Sequence, residues 1–500
     1  MIQTNAPPTL DGLFRRILAR KPDAPALLDP LNKQRVTGQP PKRLTFAEAD
    51  RAISALAAHF IEAGLPNSSV IAVQLPNTVE FMLTVLAANR AGLVVAPFPL
   101  LWRQAELTVA LNRTGARAIV TTSRIDGVSH ADFAMNAAAE AFAVRHVCGF
   151  GNDLPEGMAS LDLAIETPSA TTRPVVQDGR KAAAITFDVT AEGFRPVPRT
   201  HLQLIAGGLA LSLESNLPQG SILMSAFAPS SFAGLTSSLA LWLLSGGTLA
   251  LHHPFDSDVL EQQINGHFCD TLVAPAQLAL RLSDIDMPAR LPGLRNVIAL
   301  WRAPEQVASS PVWTAAQARL MDVYLFGDAG LFGSRRSADG TPAPVMPGPH
   351  GAPREVSGSS IAGEIFLTPK GTLGLRGPMV TPAAYAPPPP LGDSLVAEPP
   401  RDFVDTEYAA RIDRSTGAIC ITAPPAGIMA VGGYRFLSQD LQEWGRRLGQ
   451  GALLTALPDR LSGHRLAGRA QDNSRAREAL TQLGLNPLMV EAFRDRTNPV

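Results

Sequence analysis

VIAVQLPNTVEFMLTVLAANRAGLVVAPFPLLWRQAELTVALNRTGARAIV, Val70–Val120, changes its hydrophobic period several times within one run. Val70–Leu75 is a short apolar segment stopped at Pro76, which has the length and composition of a buried strand. Val79–Ala91 then places apolar residues at helical spacing, and Leu93–Ala96 is again a strand. Such a βα rhythm predicts parallel sheets covered by helices. It continues on both sides. Phe46–Ala63 reads as a helix and Ala118–Thr121 as a strand. Leu202–Leu213 and Leu235–Leu244 read as helices, Thr248–His252 as a strand, Val259–Gly266 as a helix and Thr271–Val273 as a strand. Near the end, Ala418–Ile421 reads as a strand and Ser438–Leu448 as a helix with Ser438 at its N-cap. Between these regions, Ala386–Pro400 is too rich in proline for an element interior and reads as an exposed loop.

The bulk properties narrow the function classes. A chain of 500 residues, 46% hydrophobic and 17% charged, buries a large core and is not disordered. Its formal net charge of -1 gives no field that would attract nucleic acid or an anionic membrane surface. Cys148, Cys269 and Cys420 lie far apart without metal-type spacing, as free thiols in a reducing compartment do. The first residues lack the apolar core of a signal peptide, and Leu239–Leu244 is too short to span a bilayer. A cytoplasmic location is expected. No Walker-type phosphate loop or G-x-S-x-G elbow occurs, and on a strand the adjacent His252 and His253 point to opposite faces, which disfavours a shared metal.

Pro76-Asn77, Ala91-Gly92, Pro97, Glu106-Leu107 and Thr114-Gly115-Ala116, preceded by LTFAEADRAISALAAHFIEAGL, form a long ordered pattern. It resembles the N-terminal part of the AMP-forming acyl-CoA synthetase and adenylate-forming ligase superfamily, and the likeness continues through nearly the whole chain. The resemblance implies an α/β fold with a large N-terminal region of βα-rich parallel sheets packed with helices over residues 1–426. A small, shortened C-terminal α+β domain would follow over 427–500. It implies a carboxylic acid activated with ATP and Mg²⁺ to an acyl-AMP, then transferred to CoA as a thioester.

Residue by residue, the resemblance implies a nucleotide site at Thr190, Arg195, Phe326, Gly327 and Glu407. Thr190 and Arg195 lie in TFDVTAEGFRPVPRTH, Thr186–His201, which stands where the family has its Ser/Thr/Gly-rich phosphate loop. Phe326 would stack on adenine beside Gly327, and Glu407 would hold the ribose. Gly432-Gly433 would admit the pantetheine arm of CoA, and Ser231 would face the acyl pocket. The departures are as informative. Asp188, Val189 and Glu192 replace Ser and Gly residues of the phosphate loop, and two carboxylates beside a triphosphate repel it. Trp301 and Arg302 replace two glycines that lie against adenine; the Trp either fills that space or stacks on another planar ligand. Ala329 and Gly330 replace a phosphate-binding Thr and the carboxylate that holds Mg²⁺. Pro424, Gly427 and Ala430 replace the ribose-binding Arg, the hinge residue and a Lys. No lysine follows Lys370, so the C-terminal catalytic lysine is absent.

Three readings follow from this pattern. The first is an acyl-CoA synthetase-like protein with impaired catalysis. The second is a non-catalytic homologue that binds an acid, an acyl thioester or a protein partner in a regulatory role. The third is a divergent ligase that uses other nucleotide contacts or a partner's lysine.

Overall fold

The computed structural model describes residues 7–168, 178–350, 363–381, 385, 402–459 and 462–494. Two large twisted sheets organise the chain. The seven-stranded sheet runs in the order Gly193–Thr200, Ala182–Thr190, Val94–Pro97, Val70–Val73, Ala118–Thr122, His146–Phe150, Ala159–Ser160, and only its first pair is antiparallel. The eight-stranded sheet runs Leu331–Arg335, Arg319–Leu325, Asn296–Trp301, Thr271–Pro275, Ile222–Ser225, Thr248–Leu251, Pro25–Leu28, Arg43–Thr45, parallel except at its two edges. A five-stranded antiparallel sheet spans Gly348–Ala423. From Ile428 the chain forms the hairpin Ile428–Val431/Tyr434–Leu437, the helix Ser438–Arg447, the pair Leu453–Asp459/Gly463–Arg469 and the helices Asn473–Gln482 and Pro487–Glu491.

Local sequence accounts for the elements that join the sheets. Thr45 and Glu48 close a capping box at the start of Phe46–Glu62. In Val79–Arg90 every residue except Arg90 is buried, so this helix belongs to the core shared by both large sheets. Below it, Lys33 is buried between Asp29 and Glu80, at 2.6 Å from each. Asp29 also accepts the Val79 amide at 2.8 Å, which fixes where the helix begins. The helix read over Leu235–Leu244 opens as a π-helix over Leu235–Ala240 and tightens to α over Leu241–Ser245. It crosses His201–Ser215 at Gly208, where a Cβ would meet the Ala240 Cβ at 2.8 Å.

Two expectations shift in detail. Ser438 is the first helical residue rather than the N-cap, and its hydroxyl donates to the Gly427 carbonyl at 2.7 Å. The proline-rich stretch 386–400 lies outside the described residues. Among the described residues no helix is long and apolar enough to cross a membrane.

Candidate functional site

The strands of both large sheets end at one cavity of about 700 Å³. Leu75 and Asn77 follow one strand of the seven-stranded sheet, and Leu100 to Trp102 follow another. From the eight-stranded sheet come Ala226 to Ser231, His252-His253, Arg302 and Gly327. Ligands of open α/β sheets bind outside the carboxyl ends of the strands, and this is such a place. The C-terminal segment closes the cavity with Gly432 to Leu437, Leu441, Trp444 and Met489. One wall is aromatic: Trp102, Phe187 and Phe194 pack with ring centroids 5.2–5.5 Å apart. Among the described residues, two buried polar atoms in the wall have no hydrogen-bond partner. Asn77 donates Nδ2 to the carbonyls of Ser225 and His252, which leaves Oδ1 unpaired, and Nε2 of His253 is also unpaired.

The segment expected to wrap phosphate is a tight hairpin. Ala182–Thr190 and Gly193–Thr200 pair antiparallel, in continuous register from Ala184 to Thr190 with a bulge before Ala184, and only Ala191 and Glu192 lie between them. Thr190 Oγ1 accepts the Glu192 amide at 3.3 Å, so it belongs to the turn. Arg195 stands opposite Asp188 in the ladder and does not line the cavity, and its buried Nε has no hydrogen-bond partner among the described residues. Thr200 and His201 have structural roles. Thr200 caps His201–Ser215, and His201 Nδ1 accepts the Leu10 amide at 3.3 Å, its pKa pushed down to about 4 by burial.

The charge of Asp188 is answered within the chain. Its Oδ1 accepts from the Arg435 guanidinium at 2.9 Å, and its Oδ2 accepts the Asp328 amide at 2.9 Å. Arg435 also donates to the Tyr408 hydroxyl at 2.9 Å. Burial works against the Arg435 charge, but Asp188 and Tyr408 raise its pKa overall. Asp328 is buried beside Asp188, accepts the Phe232 amide at 2.7 Å, and burial foremost pushes its carboxyl up to about 7. This cluster sits on Gly327, where a Cβ would run into Arg435 and Asp188. Phe326 is 2% exposed, packs edge-on against Tyr408 at 5.5 Å and does not reach the cavity. Glu407 is exposed and left-handed at φ 63°, and its carboxyl is raised by partial burial and then by Asp405, Glu192 and Asp188.

A family model for AMP-binding enzymes matches residues 14–327, more than half of the chain. The chain belongs to the AMP-binding enzyme family. It is 24% identical over 255 residues to a medium-chain fatty-acid–CoA ligase of Escherichia coli (strain K12), a match covering 50% of this chain and 45% of that protein. It is 26% identical over 277 residues to a sulfoacetate–CoA ligase of Cupriavidus necator, covering 55% and 51%. The matched stretch thus spans about half the length of these relatives. The amide bond synthetase McbA from Marinactinospora thermotolerans superposes with a TM-score of 0.69 over 95% of this chain and 94% of that one, at 17% identity. The fold is that of the adenylate-forming ligases.

Within this AMP-binding enzyme fold, the residues present do not fit the nucleotide where the resemblance places it. The hairpin turn offers no glycine cradle, Gly327 is covered by an internal ion pair, and Phe326 is buried. Gly330 carries no side-chain oxygen for Mg²⁺, and a Cβ there would meet Leu375 at 3.0 Å. Trp301 is a core residue whose indole donates to Asp322 at 2.7 Å, and Asp322 in turn pairs with Arg336. Arg302 crosses to the C-terminal segment. Its Nη1 donates to the Gly432 carbonyl at 2.8 Å, and its guanidinium lies where a Cβ on Gly433 would be. Gly432 and Gly433, with φ of 55° and 100°, therefore make room for an arginine of the same chain. Ser231 lines the cavity while its hydroxyl accepts the Gly234 amide at 3.1 Å. Of the residues named from sequence, Gly327, Ser231, Gly432 and Gly433 meet at the cavity, and Thr190, Arg195, Phe326 and Glu407 do not.

The sequence reading missed Arg435 and Tyr408, and it gave Glu106 only as part of the ordered N-terminal pattern, with no role at the site. Glu106 lines the cavity and ties the C-terminal segment down by accepting the Asn486 amide at 2.9 Å; burial pushes its carboxyl up to about 7.

Proposed function

We propose that this protein is an acyl-CoA-ligase-type member of its family that binds a carboxylic acid, or its acyl thioester, without adenylating it. The observation that carries the reading is the Asp188–Arg435 ion pair seated on Gly327. Removing an internal guanidinium to admit a nucleotide would leave Asp188 and Asp328 buried together, a costly arrangement. The cavity beside the ion pair remains open and largely apolar, as an acyl-binding site requires. The E. coli relative is named for medium-chain fatty acids, so decanoate is a suitable first probe. In this reading ATP, Mg²⁺ and CoA are not turned over, and the protein serves as an acid sensor or carrier, with residues 427–500 acting as a separate closing domain.

The ligase reading keeps one observation in its favour. Arg435 belongs to the C-terminal hairpin, so rotation of that segment would uncover Gly327. Calorimetric titration separates the two. The expected result is saturable heat with decanoate and none with Mg²⁺–ATP or a non-hydrolysable acyl-adenylate analogue. Saturable nucleotide binding together with acid-dependent pyrophosphate release would establish the ligase reading instead.

A further inference from the structure

Arg302 follows the last residue of the strand Asn296–Trp301 and lines the cavity at the carboxyl edge of the eight-stranded sheet. Its guanidinium lies over the Phe227 ring, 4.3 Å from the centroid, and Nη1 is held by the Gly432 carbonyl. The plane of the group is therefore fixed from two sides. Among the described residues Nε and Nη2 have no hydrogen-bond partner, and no carboxylate forms an ion pair with Arg302. The carboxylates in the cavity wall are engaged elsewhere or lie outside. Asp188 is held by Arg435, Asp328 by the Phe232 amide, and Glu106 by the Arg103 and Asn486 amides, while Asp440 is exposed at the rim. Burial lowers the Arg302 pKa to about 10, with only Tyr434 acting in the opposite direction. A cation set in a mostly apolar cavity with its donor fork open is matched by a bidentate anion.

We infer that Arg302 is the carboxylate anchor of this cavity, and that the ligand is a free, ionised acid with an apolar body rather than a thioester. Nε and Nη2 of Arg302 take the two carboxylate oxygens. The alkyl or aryl body lies against Phe227, Trp102, Phe187 and Phe255, which line the same cavity. This assignment rests on the acid-binding reading above, and it adds which form of the acid binds and which residue selects it.

The test compares three ligands of equal chain length by calorimetry on the intact protein: decanoate, decanamide and decanoyl-CoA. Charge-assisted hydrogen bonds exceed neutral ones by enough to make decanoate about tenfold to a hundredfold tighter than decanamide. Decanoyl-CoA, whose acyl end is neutral, should also fall below decanoate. Arg302→Met should reduce the acid-to-amide ratio to about twofold or less while leaving decanamide affinity within about threefold. The wild-type acid–amide comparison does not depend on that variant folding. Equal affinities for acid and amide would overturn the anchor, as would a thioester that binds more tightly than the acid. Either result would leave the non-catalytic reading standing. Acid-dependent consumption of ATP would instead remove the non-catalytic reading, while the acid–amide ratio would still report on Arg302.

Discussion

The two arginines that flank the Gly432–Tyr434 loop are treated in opposite ways. Arg435 has a counter-charge in the Asp188 carboxylate, and it also meets the Tyr408 hydroxyl and the face of the Tyr408 ring. Arg302, on the other side of the loop, has one carbonyl, one ring face and no carboxylate among the described residues. Both stand beside glycines that the resemblance would assign to ligands. The difference shows where the cavity has been filled by the chain itself and where it has been left for something else. An ion pair that closes on itself is structural, and a fixed cation with an open fork is a binding group.

The strongest way to break this comparison is to remove the carboxylate at the closed end. Asp188→Ala leaves Arg435 nearly buried without its counter-charge and should lower unfolding free energy by about 3 kcal/mol, measured by urea denaturation. The double variant Asp188→Ala, Arg435→Met should recover much of that loss, because an apolar pair can replace a buried ion pair. A single-variant cost below about 0.5 kcal/mol, the range of surface substitutions, would show that the ion pair does not hold this end shut.

A smaller effect should appear with pH at the contact between Glu106 and Asn486. Burial raises the Glu106 carboxyl from 4.5 to about 7, against opposing hydrogen bonds from backbone amides and the charge of Arg103. A folded pKa above the unfolded one means that folding takes up a proton. The stability this group supplies is complete below about pH 4.5 and is lost as pH rises through about 7. The unfolding free energy measured in urea should therefore fall between pH 5 and pH 8, by on the order of 2 kcal/mol from this group. Glu106→Gln should flatten that fall without abolishing it, since Asp328 is raised to about 7 with the same sign. An unchanged slope in the variant would mean that Glu106 titrates normally.

Much of the scaffold was legible because hydrophobic period alone specifies it. The helix read over Val79–Ala91 runs Val79–Arg90, and the strand read over Ala118–Thr121 runs Ala118–Thr122. The candidate site was less legible, for two reasons. In Ala182–Thr200 the residues themselves spell a hairpin, with two alternating runs on either side of Ala191-Glu192 and Gly193 at the exit. The same segment stands where the family has its phosphate loop, and that likeness competes with the local signal. Arg435 is different: its partner lies 247 residues away, and no spacing along the chain announces such a contact. Arg302 did give a signal, as a charged residue directly after the apolar run Val297–Trp301. Its meaning depended on learning that no carboxylate among the described residues comes to meet it.

The smallest expected effect tests that hairpin directly. Thr190 is the one phosphate-loop hydroxyl that the resemblance retains, and a loop that bound triphosphate through it would lose nucleotide affinity on its removal. In the hairpin its hydroxyl accepts the Glu192 amide at 3.3 Å and donates to the Gly193 carbonyl at 3.4 Å, both contacts within the turn. Thr190→Ala should therefore cost about 0.5 kcal/mol or less in stability and leave decanoate binding unchanged. Glu192→Gly, which relaxes the turn and removes one carboxylate, should likewise leave the heat with Mg²⁺–ATP at zero. Appearance of nucleotide binding in the Glu192 variant would mean that charge alone closes this end, and that the paired strands Ala182–Thr190 and Gly193–Thr200 can still open into a loop.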